Sequence, residues 1–331
     1  MTRVRDIGVG VVGVGLMGRR HAENVTRVGG AKLLAIHDAN ASLAERVARE
    51  LGAKSCASVD ALLSYSGVDA VVIASPAPAH EAHAVAALAA GKDVLLEKPI
   101  ALTLEAADRI LAAAASASAA RLQIGFMRRY DPAHTEAVSV VRSGKVGAVR
   151  FFKGVDRDRD APSGPSGSLA RADIFAESAI HDFDVARWIT GDEVAGVRAS
   201  ALTLAPDAPG PDLALAELRF VGGAAASIET YRGARYAYDI RAEIVCSEGI
   251  VCVGGFAQRS VEVLLPDGDR RDLSAHFLDR FADAYLIELR DFLAGVRYPR
   301  PPRVSGEDGR RALAIALACD RACDDAHEVA P

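Results

Sequence analysis

Over the first 126 residues, short apolar runs alternate with amphipathic or alanine-rich stretches. The runs predict buried strands at Ile7–Val12, Lys32–His37, Asp69–Ala74, Asp93–Leu96 and Leu122–Gly125. The intervening stretches predict helices that end at Val28, span Ser42–Leu51 and Glu81–Ala90, and begin after an N-cap at Thr103. Strands that are apolar on both faces and alternate with helices indicate a parallel sheet covered on both sides. This part is therefore predicted to be a doubly wound α/β domain.

The pattern changes after Phe126. A helix over Pro132–Ser143 and a strand over Val149–Val155 precede a Pro/Ser/Gly-rich loop at 161–167 and a helix over His181–Ile189. Successive strands then follow with only turns between them, at Val197–Leu204, Leu213–Phe220, Ala224–Tyr231, Tyr238–Cys246 and Val261–Leu265. Two helices close the chain, over Arg280–Leu293 and Arg310–Asp324. Strands without intervening helices indicate a mostly antiparallel sheet, so we predict a second α/β domain with a large open sheet.

The chain has 331 residues, which is enough for two domains, predicted here as 1–126 and 127–331, with the final helix as a possible addition to the first. A net charge of −5 provides no basic field for nucleic acid. No apolar run approaches the roughly 20 residues of a membrane span, and no signal-peptide core precedes the first strand. We therefore expect a soluble, cytoplasmic protein. Five scattered cysteines form neither a disulfide framework nor a complete metal site.

A glycine-rich turn follows the first predicted strand and opens the first predicted helix. It has the form G-x-G-x-x-G and comprises Gly13, Val14, Gly15, Leu16, Met17 and Gly18. In that setting the first glycine permits the turn, the second lets the backbone approach a pyrophosphate, and the third allows close helix–strand packing. The free N–H groups of the helix N-terminus attract the anion. Such turns also occur without a ligand, but the context predicts a dinucleotide site.

Further candidate cofactor residues lie where other strands of this sheet end. Asp38 follows the second strand, where an acidic side chain accepts hydrogen bonds from ribose hydroxyls and repels a 2′-phosphate, so NAD is favoured over NADP. The alternative is that Asp38 only begins a turn. Ser75 and His80 belong to the loop after Ala74, on the same edge of the sheet, although a histidine there is also typical of a helix start.

Two groups of residues suggest proton transfer. Glu97 and Lys98 end a buried strand and precede Pro99, which turns the chain out of the sheet. Both are also candidate cofactor residues, and Lys98 is the one expected to act in proton transfer. Glu177 and His181 are one turn apart if the segment is helical, and a carboxylate beside an imidazole supports a general base. The ordinary alternatives are a solvated surface lysine and a surface ion pair.

The combined motifs resemble the glucose-fructose oxidoreductase / inositol dehydrogenase / rhizopine-catabolism (Gfo/Idh/MocA) family. The resemblance covers nearly the whole chain and rests on the glycine turn, on Glu97-Lys98-Pro99, on Gly125-Phe126-Met127-Arg128-Arg129-Tyr130-Asp131 and on Ile180-His181-Asp182-Phe183-Asp184 with Arg187-Trp188. Two stretches look like the myo-inositol 2-dehydrogenases of that family: the one from Gly125 to Asp131, and Arg280-Phe281-Ala282-Asp283-Ala284-Tyr285. The resemblance implies a Rossmann domain that binds NAD, and a second domain whose open sheet builds a dimer or tetramer.

The resemblance also implies roles for single residues. Lys98 would hydrogen-bond the reacting hydroxyl, and His181 would be the acid/base. Four positions before the histidine the family pattern has aspartate, but this chain has Glu177. On the strand where inositol dehydrogenases tend to carry His and Asn, this chain has Asp156 and Asp158. We expect these two residues, with Arg128 and Tyr236, to bind substrate.

The expected activity is NAD-dependent oxidation of a secondary hydroxyl of a cyclic polyol or sugar to a ketone, with myo-inositol as the preferred substrate. A sugar or anhydrosugar dehydrogenase of the same family is the nearest alternative. An NAD-dependent glycosidase would cleave a bond without net NADH, and a ligand-sensing regulator would bind cofactor without catalysis. The presence of both Lys98 and His181 argues against the regulator.

Overall fold

A computed structural model describes residues 5–117, 120–160, 173–206, 208, 210–254 and 274–325. These residues form two compact units. The first contains the described residues up to Met127 together with Asp283–Leu313, and the second contains those from Arg128 to Ala282 and from Ala314 onward. The predicted loop at 161–167 and the predicted strand Val261–Leu265 lie outside the described residues.

The first unit is built on a six-stranded parallel sheet with the strand order β3-β2-β1-β4-β5-β6. Its strands are β1 (Ile7–Val12), β2 (Ala31–His37), β3 (Lys54–Ser55), β4 (Val68–Ile73), β5 (Asp93–Glu97) and β6 (Leu122–Gly125). Every residue of β1, β5 and β6 is buried, as expected for strands covered on both faces. The order reverses between β1 and β4, which is the switch point where α/β sheets bind ligands. The predicted doubly wound fold is confirmed.

Helices connect these strands. They are α1 (Leu16–Arg27), α2 (Ala41–Leu51), α3 (Val59–Leu63), α4 (His80–Ala89) and α5 (Leu104–Ser116), with a 3₁₀ turn at Ala77–Ala79. The Thr103 side chain accepts a hydrogen bond from the Ala106 N–H over 3.2 Å, which confirms the predicted N-cap of α5. The sequence did not predict β3 and α3, because elements of two and five residues are too short to show a period.

A C-terminal segment completes the first unit. Helix α9 (Ala282–Arg297) contributes Leu289, Phe292 and Leu293 to the hydrophobic core that contains β1 and β2. Beyond it, the Val304 carbonyl accepts a hydrogen bond from the Ile124 N–H over 3.1 Å. The sequence predicted an unbroken second segment, 127–331, with only the final helix as a possible addition to the first. The structure instead adds Asp283–Leu313 to the first unit.

The second unit is built on a six-stranded mixed sheet with the order β12-β11-β7-β10-β9-β8. Its strands are β7 (Val149–Asp158), β8 (Val194–Leu202), β9 (Leu213–Phe220), β10 (Ala225–Arg232), β11 (Asp239–Cys246) and β12 (Ile250–Val253). Among the described strands of this sheet, β7 and β10 alone pair in parallel, so the predicted mostly antiparallel sheet is confirmed. The described helices of this part are α6 (Pro132–Arg142), α7 (Ile180–Thr190), α8 (Phe277–Arg280) and most of α10 (Gly306–Asp325).

One feature of the second unit departs from the predicted helix pattern. Residues Ile174–Ala179 form a π-helix that leads directly into α7 and packs against β9 and β10. On these strands, buried and more exposed residues alternate, so one face of the sheet is covered and the other is open. Among the described helices, none combines the length and apolar character needed to cross a membrane.

Candidate active site

The glycine-rich turn between β1 and α1 is closed on its inner side. Gly13 has φ +81°, and a Cβ there would lie 2.6 Å from the Ser75 backbone nitrogen. A Cβ on Gly18 would lie 1.8 Å from the Gly13 carbonyl oxygen. Around Gly15 no atom comes within 4 Å of an added Cβ. The turn is therefore tightly packed against the sheet but open at the residue expected to approach a pyrophosphate.

The start of α1 suits an anionic group. Gly15 is the N-cap and provides no side chain to accept from the first N–H groups, and the first turn contains no acidic residue. The N–H groups of residues such as Leu16 and Met17 therefore face the turn without a capping side chain, at the positive end of the helix dipole. This arrangement fits the diphosphate of a dinucleotide.

Asp38 fixes the glycine turn to the end of β2. Its Oδ2 accepts from the Val14 N–H over 2.8 Å, and its Oδ1 accepts from the Asn40 N–H over 2.8 Å. Each carboxylate oxygen has a second lone pair, so the half-buried side chain can still accept from ribose hydroxyls. Together with the open Gly15, this carboxylate fits NAD.

Ser75 and His80 connect the loop after β4 to the segment after Lys98. His80 is 1% exposed, and its Nε2 and Nδ1 lie 2.8 Å from the carbonyl oxygens of Ser75 and Pro99. Burial lowers the pKa of His80 and outweighs the two carbonyls, which raise it. Both ring nitrogens thus face backbone oxygens. This placement favours a positioning role over the direct cofactor contact that the sequence suggested. The Ser75 hydroxyl lies 3.0 Å from Nδ1 of His83.

Glu97 supports Lys98 from inside the sheet. Its Oε1 lies 2.7 Å from Nε2 of His21, and its Oε2 accepts from the Lys98 backbone N–H over 3.2 Å. Burial raises the pKa of Glu97, but His21 and Lys98 together lower it by more. The pKa of Glu97 therefore lies below its ordinary value. Glu97 was predicted as a cofactor residue, and the structure buries its carboxylate against His21 instead. Lys98 follows β5 directly, is half-buried, and joins Pro99 by a cis peptide bond.

A second buried carboxyl group interacts electrostatically with Glu97. Glu288 of α9 is fully buried, and neither of its carboxyl oxygens has a hydrogen-bond partner among the described residues. Burial raises the pKa of Glu288 well above its ordinary value, and the charges of Glu97 and Asp291 add to that shift. Glu288 therefore holds its proton in the folded protein.

The predicted acid/base pair lies in the second unit. His181 is in the first turn of α7 and is 7% exposed, whereas Glu177 lies in the π-helix and is exposed. The expected contact between them assumed an α-helical turn. Glu177 instead lies in a π-helix, which is wider and bonds residues i and i+5, so the contact between the two side chains stays a prediction.

Arg128 and Asp156, both predicted to bind substrate, belong to a buried ion-pair cluster. The Arg128 guanidinium donates to Asp156 Oδ2 over 2.6 Å and to Asp182 Oδ2 over 2.8 Å, and it is 1% exposed. Burial raises the pKa of Asp182 to about 6, Asp156 adds to the shift, and Arg128 opposes it. A Cβ on Gly154 would lie 2.7 Å from Asp182 Oδ1. The cluster therefore fastens the start of α7 to β7, and its placement favours support over substrate contact.

Tyr236 lies in the turn between β10 and β11, and Asp158 is the last residue of β7. The Tyr236 hydroxyl donates to Asp239 Oδ2 over 2.6 Å and accepts from Arg157 over 3.5 Å. Burial, with the Asp239 hydrogen bond, raises the pKa of Tyr236 to about 12. Asp158 ends β7 and pairs with Arg232 of β10 in the sheet register. Their assignment to substrate binding stays a prediction.

Among the described residues, no group of three or more His, Cys, Asp or Glu side chains is placed to hold a metal ion. The first unit thus offers a dinucleotide turn and a strand-end lysine, and the second unit offers a histidine at a helix start. Residues 7–126 match the oxidoreductase family with an NAD-binding Rossmann fold, and residues 134–252 match the GFO/IDH/MocA C-terminal domain. The chain belongs to the Gfo/Idh/MocA family.

Proteins named as inositol dehydrogenases match this chain over nearly its full length. The scyllo-inositol 2-dehydrogenase (NAD(+)) of Bacillus subtilis is 34% identical, with 93% of this chain and 91% of that protein covered. The myo-inositol 2-dehydrogenase of Thermotoga maritima is 33% identical, with 97% of each covered. A crystal structure of scyllo-inositol dehydrogenase from Lactobacillus casei with bound NAD(H) and scyllo-inositol is 29% identical, with a TM-score of 0.86 over 97% of this chain and 98% of that one.

Three polar residues of this Gfo/Idh/MocA site escaped the sequence prediction: Asp182, Thr230 and Arg232. Thr230 and Arg232 occupy the buried positions of β10 that follow Ala226 and Ile228 at every second residue. That period of two was the available signal, because it places an arginine on the covered face of the strand. Asp182 gave no such signal, since its partner Arg128 is far away in the sequence.

Proposed function

We propose that this Gfo/Idh/MocA protein uses NAD to oxidise a secondary hydroxyl of a cyclic polyol to a ketone, with myo-inositol as the preferred substrate. The observation that carries the proposal is the presence of Lys98 at the end of β5 and His181 at the start of α7. They occur in a chain that matches inositol dehydrogenases over more than nine-tenths of its length. Similarity to both scyllo- and myo-inositol enzymes supports a cyclic polyol and leaves the stereochemistry to the assay.

The roles of the two residues follow from the reaction. An alcohol is a poor hydride donor until its hydroxyl proton is removed, and His181 accepts that proton as general base. The ammonium group of Lys98 hydrogen-bonds the same oxygen and stabilises the developing alkoxide. When bound, NAD supplies the hydride acceptor at C4 of its nicotinamide. The glycine turn and Asp38 hold the diphosphate and the adenosine ribose.

Supporting contacts keep both residues in place. Glu97, held by His21, accepts from the backbone N–H of Lys98, so the end of β5 is fixed by a buried charge. Asp182 is the residue after His181. Arg128 binds both Asp182 and Asp156, and so fastens the start of α7 to β7. Rigid support of this kind matters because small displacements of a catalytic group reduce rates strongly. Asp158, Tyr236 and Glu177 are the side chains that we propose to contact the other hydroxyl groups of the substrate.

Substitution tests the mechanism directly. We expect Lys98→Ala and His181→Ala each to lower kcat at least about 100-fold, the scale of a lost acid/base group. NADH formation with myo-inositol is measured by absorbance. Exposed Lys54→Ala and half-buried His276→Ala serve as controls and should retain activity. Near-normal turnover by either test variant would contradict the mechanism.

A substrate panel separates the alternatives. Inositols, aldoses and anhydrosugars are each tested with NAD and with NADP. Faster NADH formation with an aldose or an anhydrosugar than with any inositol would identify that compound as the substrate in place of the cyclic polyol. Glycoside cleavage without net NADH would identify a glycosidase, and cofactor binding without turnover of any compound would identify a ligand-sensing regulator.

We further propose that the protein is a homo-oligomer, a dimer or tetramer, formed through the open face of the second sheet. Leu215 of β9 and Val245 of β11 are 42% and 37% exposed on this face, where a second copy would cover them. Light scattering should give a multiple of the 34.7 kDa chain mass, and Leu215→Asp should reduce it. A monomeric mass for the unmodified protein would exclude this assembly. The cytoplasmic location stays a prediction.

A further inference from the structure

Arg232 is a buried cation in the second unit without a role in the mechanism described so far. It is the last residue of β10 and is only 3% exposed. The sheet register places it opposite Asp158, on the covered face of the sheet. A guanidinium is expensive to bury, so its contacts need an explanation.

Those contacts hold the π-helix at both ends. Arg232 Nη2 donates to the Asp173 carbonyl over 2.9 Å, immediately before the π-helix, and Nε donates to the Ser178 hydroxyl over 3.1 Å, near its end. A π-helix is rare and is usually retained at functional sites. The rigid fork of a guanidinium suits two contacts in fixed directions. Arg232 therefore fastens the π-helix, which leads into His181, to β10.

The charges around Arg232 are acidic. Burial lowers the pKa of Arg232, and the carboxylates of Glu177, Asp158, Asp173 and Asp156 raise it, with Glu177 the strongest of these. Nη1 of Arg232 and the Thr230 hydroxyl, two residues earlier on the same face, have no hydrogen-bond partner among the described residues. The guanidinium thus interacts with Glu177 through charge, while it donates hydrogen bonds to the Asp173 carbonyl and to the hydroxyl of Ser178, the residue after Glu177.

We propose that Arg232 is a positioning residue for the acid/base end of the site, where its hydrogen bonds to Asp173 and Ser178 fix the π-helix that carries Glu177 and leads into His181. The inference rests on the proposed function, which assigns roles to Glu177 and His181. It also gives a reason why a glutamate can serve where the family pattern has aspartate. The Arg232 cation attracts the glutamate side chain, which is longer than that of aspartate. The π-helix also places the Cα of this residue differently from an α-helix.

Two substitutions separate the charge of Arg232 from its geometry. Arg232→Met removes both, and we expect kcat to fall at least about tenfold and the acidic limb of the kcat–pH profile to move up by about one unit. KM for NAD should not change. Arg232→Lys keeps the cation without the fork, so the acidic limb should stay in place while kcat falls several-fold. If Arg232→Met does not fold, unchanged kcat in Arg232→Lys overturns the proposal.

Coupling to Glu177 gives a second criterion. In the Arg232→Met background, Glu177→Gln should cause little further loss, because both changes remove the same interaction. Additive losses would contradict it. Arg187→Met is a matched control, since Arg187 is also buried in this unit and donates twice to Glu193 over 2.9 Å. It should lower the unfolding temperature without moving the acidic limb.

A measurement without substrate keeps the two proposals separable. The His181 imidazole is titrated by NMR in the unmodified protein and in the Arg232 variants. We expect its titration to shift in Arg232→Met and not in Arg187→Met. An unmodified protein that oxidises no polyol would refute the proposed function, but this titration would still decide the role of Arg232. Identical titrations in the unmodified protein and in Arg232→Met would overturn the role of Arg232.

Discussion

The carboxylate of Asp38 combines a structural contact with a charge that can select the cofactor. Both of its oxygens accept backbone N–H groups, from Val14 and Asn40, so the charge is fixed beside the glycine turn. A mobile acidic side chain could rotate away from the 2′-phosphate of NADP. Asp38 cannot do so without losing its hydrogen bond to the glycine turn. We therefore predict that Asp38 discriminates against NADP through a charge held in a fixed position.

Asp38→Asn should therefore narrow the preference for NAD. The amide keeps an acceptor for one backbone N–H and removes the charge, so we expect the ratio of kcat/KM for NAD over NADP to fall by at least about tenfold. Steady-state kinetics with both cofactors measures it. Asp69→Asn is the control, because Asp69 accepts from the Gly8 N–H over 2.8 Å at the start of β4, away from the turn. Equal use of both cofactors by the unmodified protein would refute the role of Asp38.

At this scale, sequence reasoning succeeded where the local pattern determines the environment of a residue. Gly13 and Gly18 followed from one motif, and the structure gives each a contact that excludes a side chain. It did not anticipate the burial of Arg128, since the acids that neutralise it are 28 and 54 residues away. Pairing over such distances depends on tertiary structure, and a charged residue alone is most often exposed.

Among the secondary-structure elements, helix α9 contains a conflict between its apolar face and one carboxyl group. It buries Leu289 and Phe292 in the core of the first unit, and Glu288 is buried on the same helix. Glu288 is thereby kept protonated in a folded state that also holds the ionised Glu97. The folded protein binds a proton here that the unfolded chain releases, so its stability depends on pH.

The sign of this dependence is definite. Because the folded-state pKa of Glu288 is raised, its contribution to stability is complete below the unfolded value of about 4.5 and is lost as pH rises toward the folded-state pKa. Glu288→Gln cannot ionise, so its unfolding temperature relative to the unmodified protein should increase between pH 5 and pH 8. Thermal unfolding at both pH values measures this, with exposed Glu45→Gln as control. A difference that does not change with pH would contradict the assignment.

The predictability of elements followed their length and their dependence on neighbours. Strands of four or more apolar residues, such as β4 and β5, were predicted within one or two residues because burial on both faces leaves a continuous apolar run. The π-helix at Ile174–Ala179 was not predicted. Its hydrogen bonds join residues five apart, whereas those of an α-helix join residues four apart, and Arg232, on a strand more than 50 residues later, holds it in place.

On the scale of the whole molecule, the first unit is discontinuous in sequence. Phe292 is 4% exposed in a core that also contains Val9 and Val11. Phe292→Ala should lower the free energy of unfolding by about 3–5 kcal/mol, the usual cost of removing a buried aromatic side chain. It should weaken the transition that NAD stabilises, because the ligand binds the same unit.

Denaturant unfolding with and without NAD measures both effects. Tyr298→Ala, six residues further along and 69% exposed, is the control and should change the free energy of unfolding little. An unchanged free energy in Phe292→Ala would mean that α9 does not complete this core. The sequence pattern predicted the helix but not its destination, since an apolar face shows that a helix packs and not against which sheet.

The discontinuity has a consequence for biosynthesis. The ribosome finishes the six strands of the first sheet well before it makes α9, and the whole second sheet is made in between. At 5–20 residues per second, the N-terminal sheet waits roughly 8 to 30 s for the helix that completes its core. During that interval we expect the apolar surface that α9 later covers to be open to chaperones. We therefore expect the core of the first unit to be completed only after the second sheet has been synthesised.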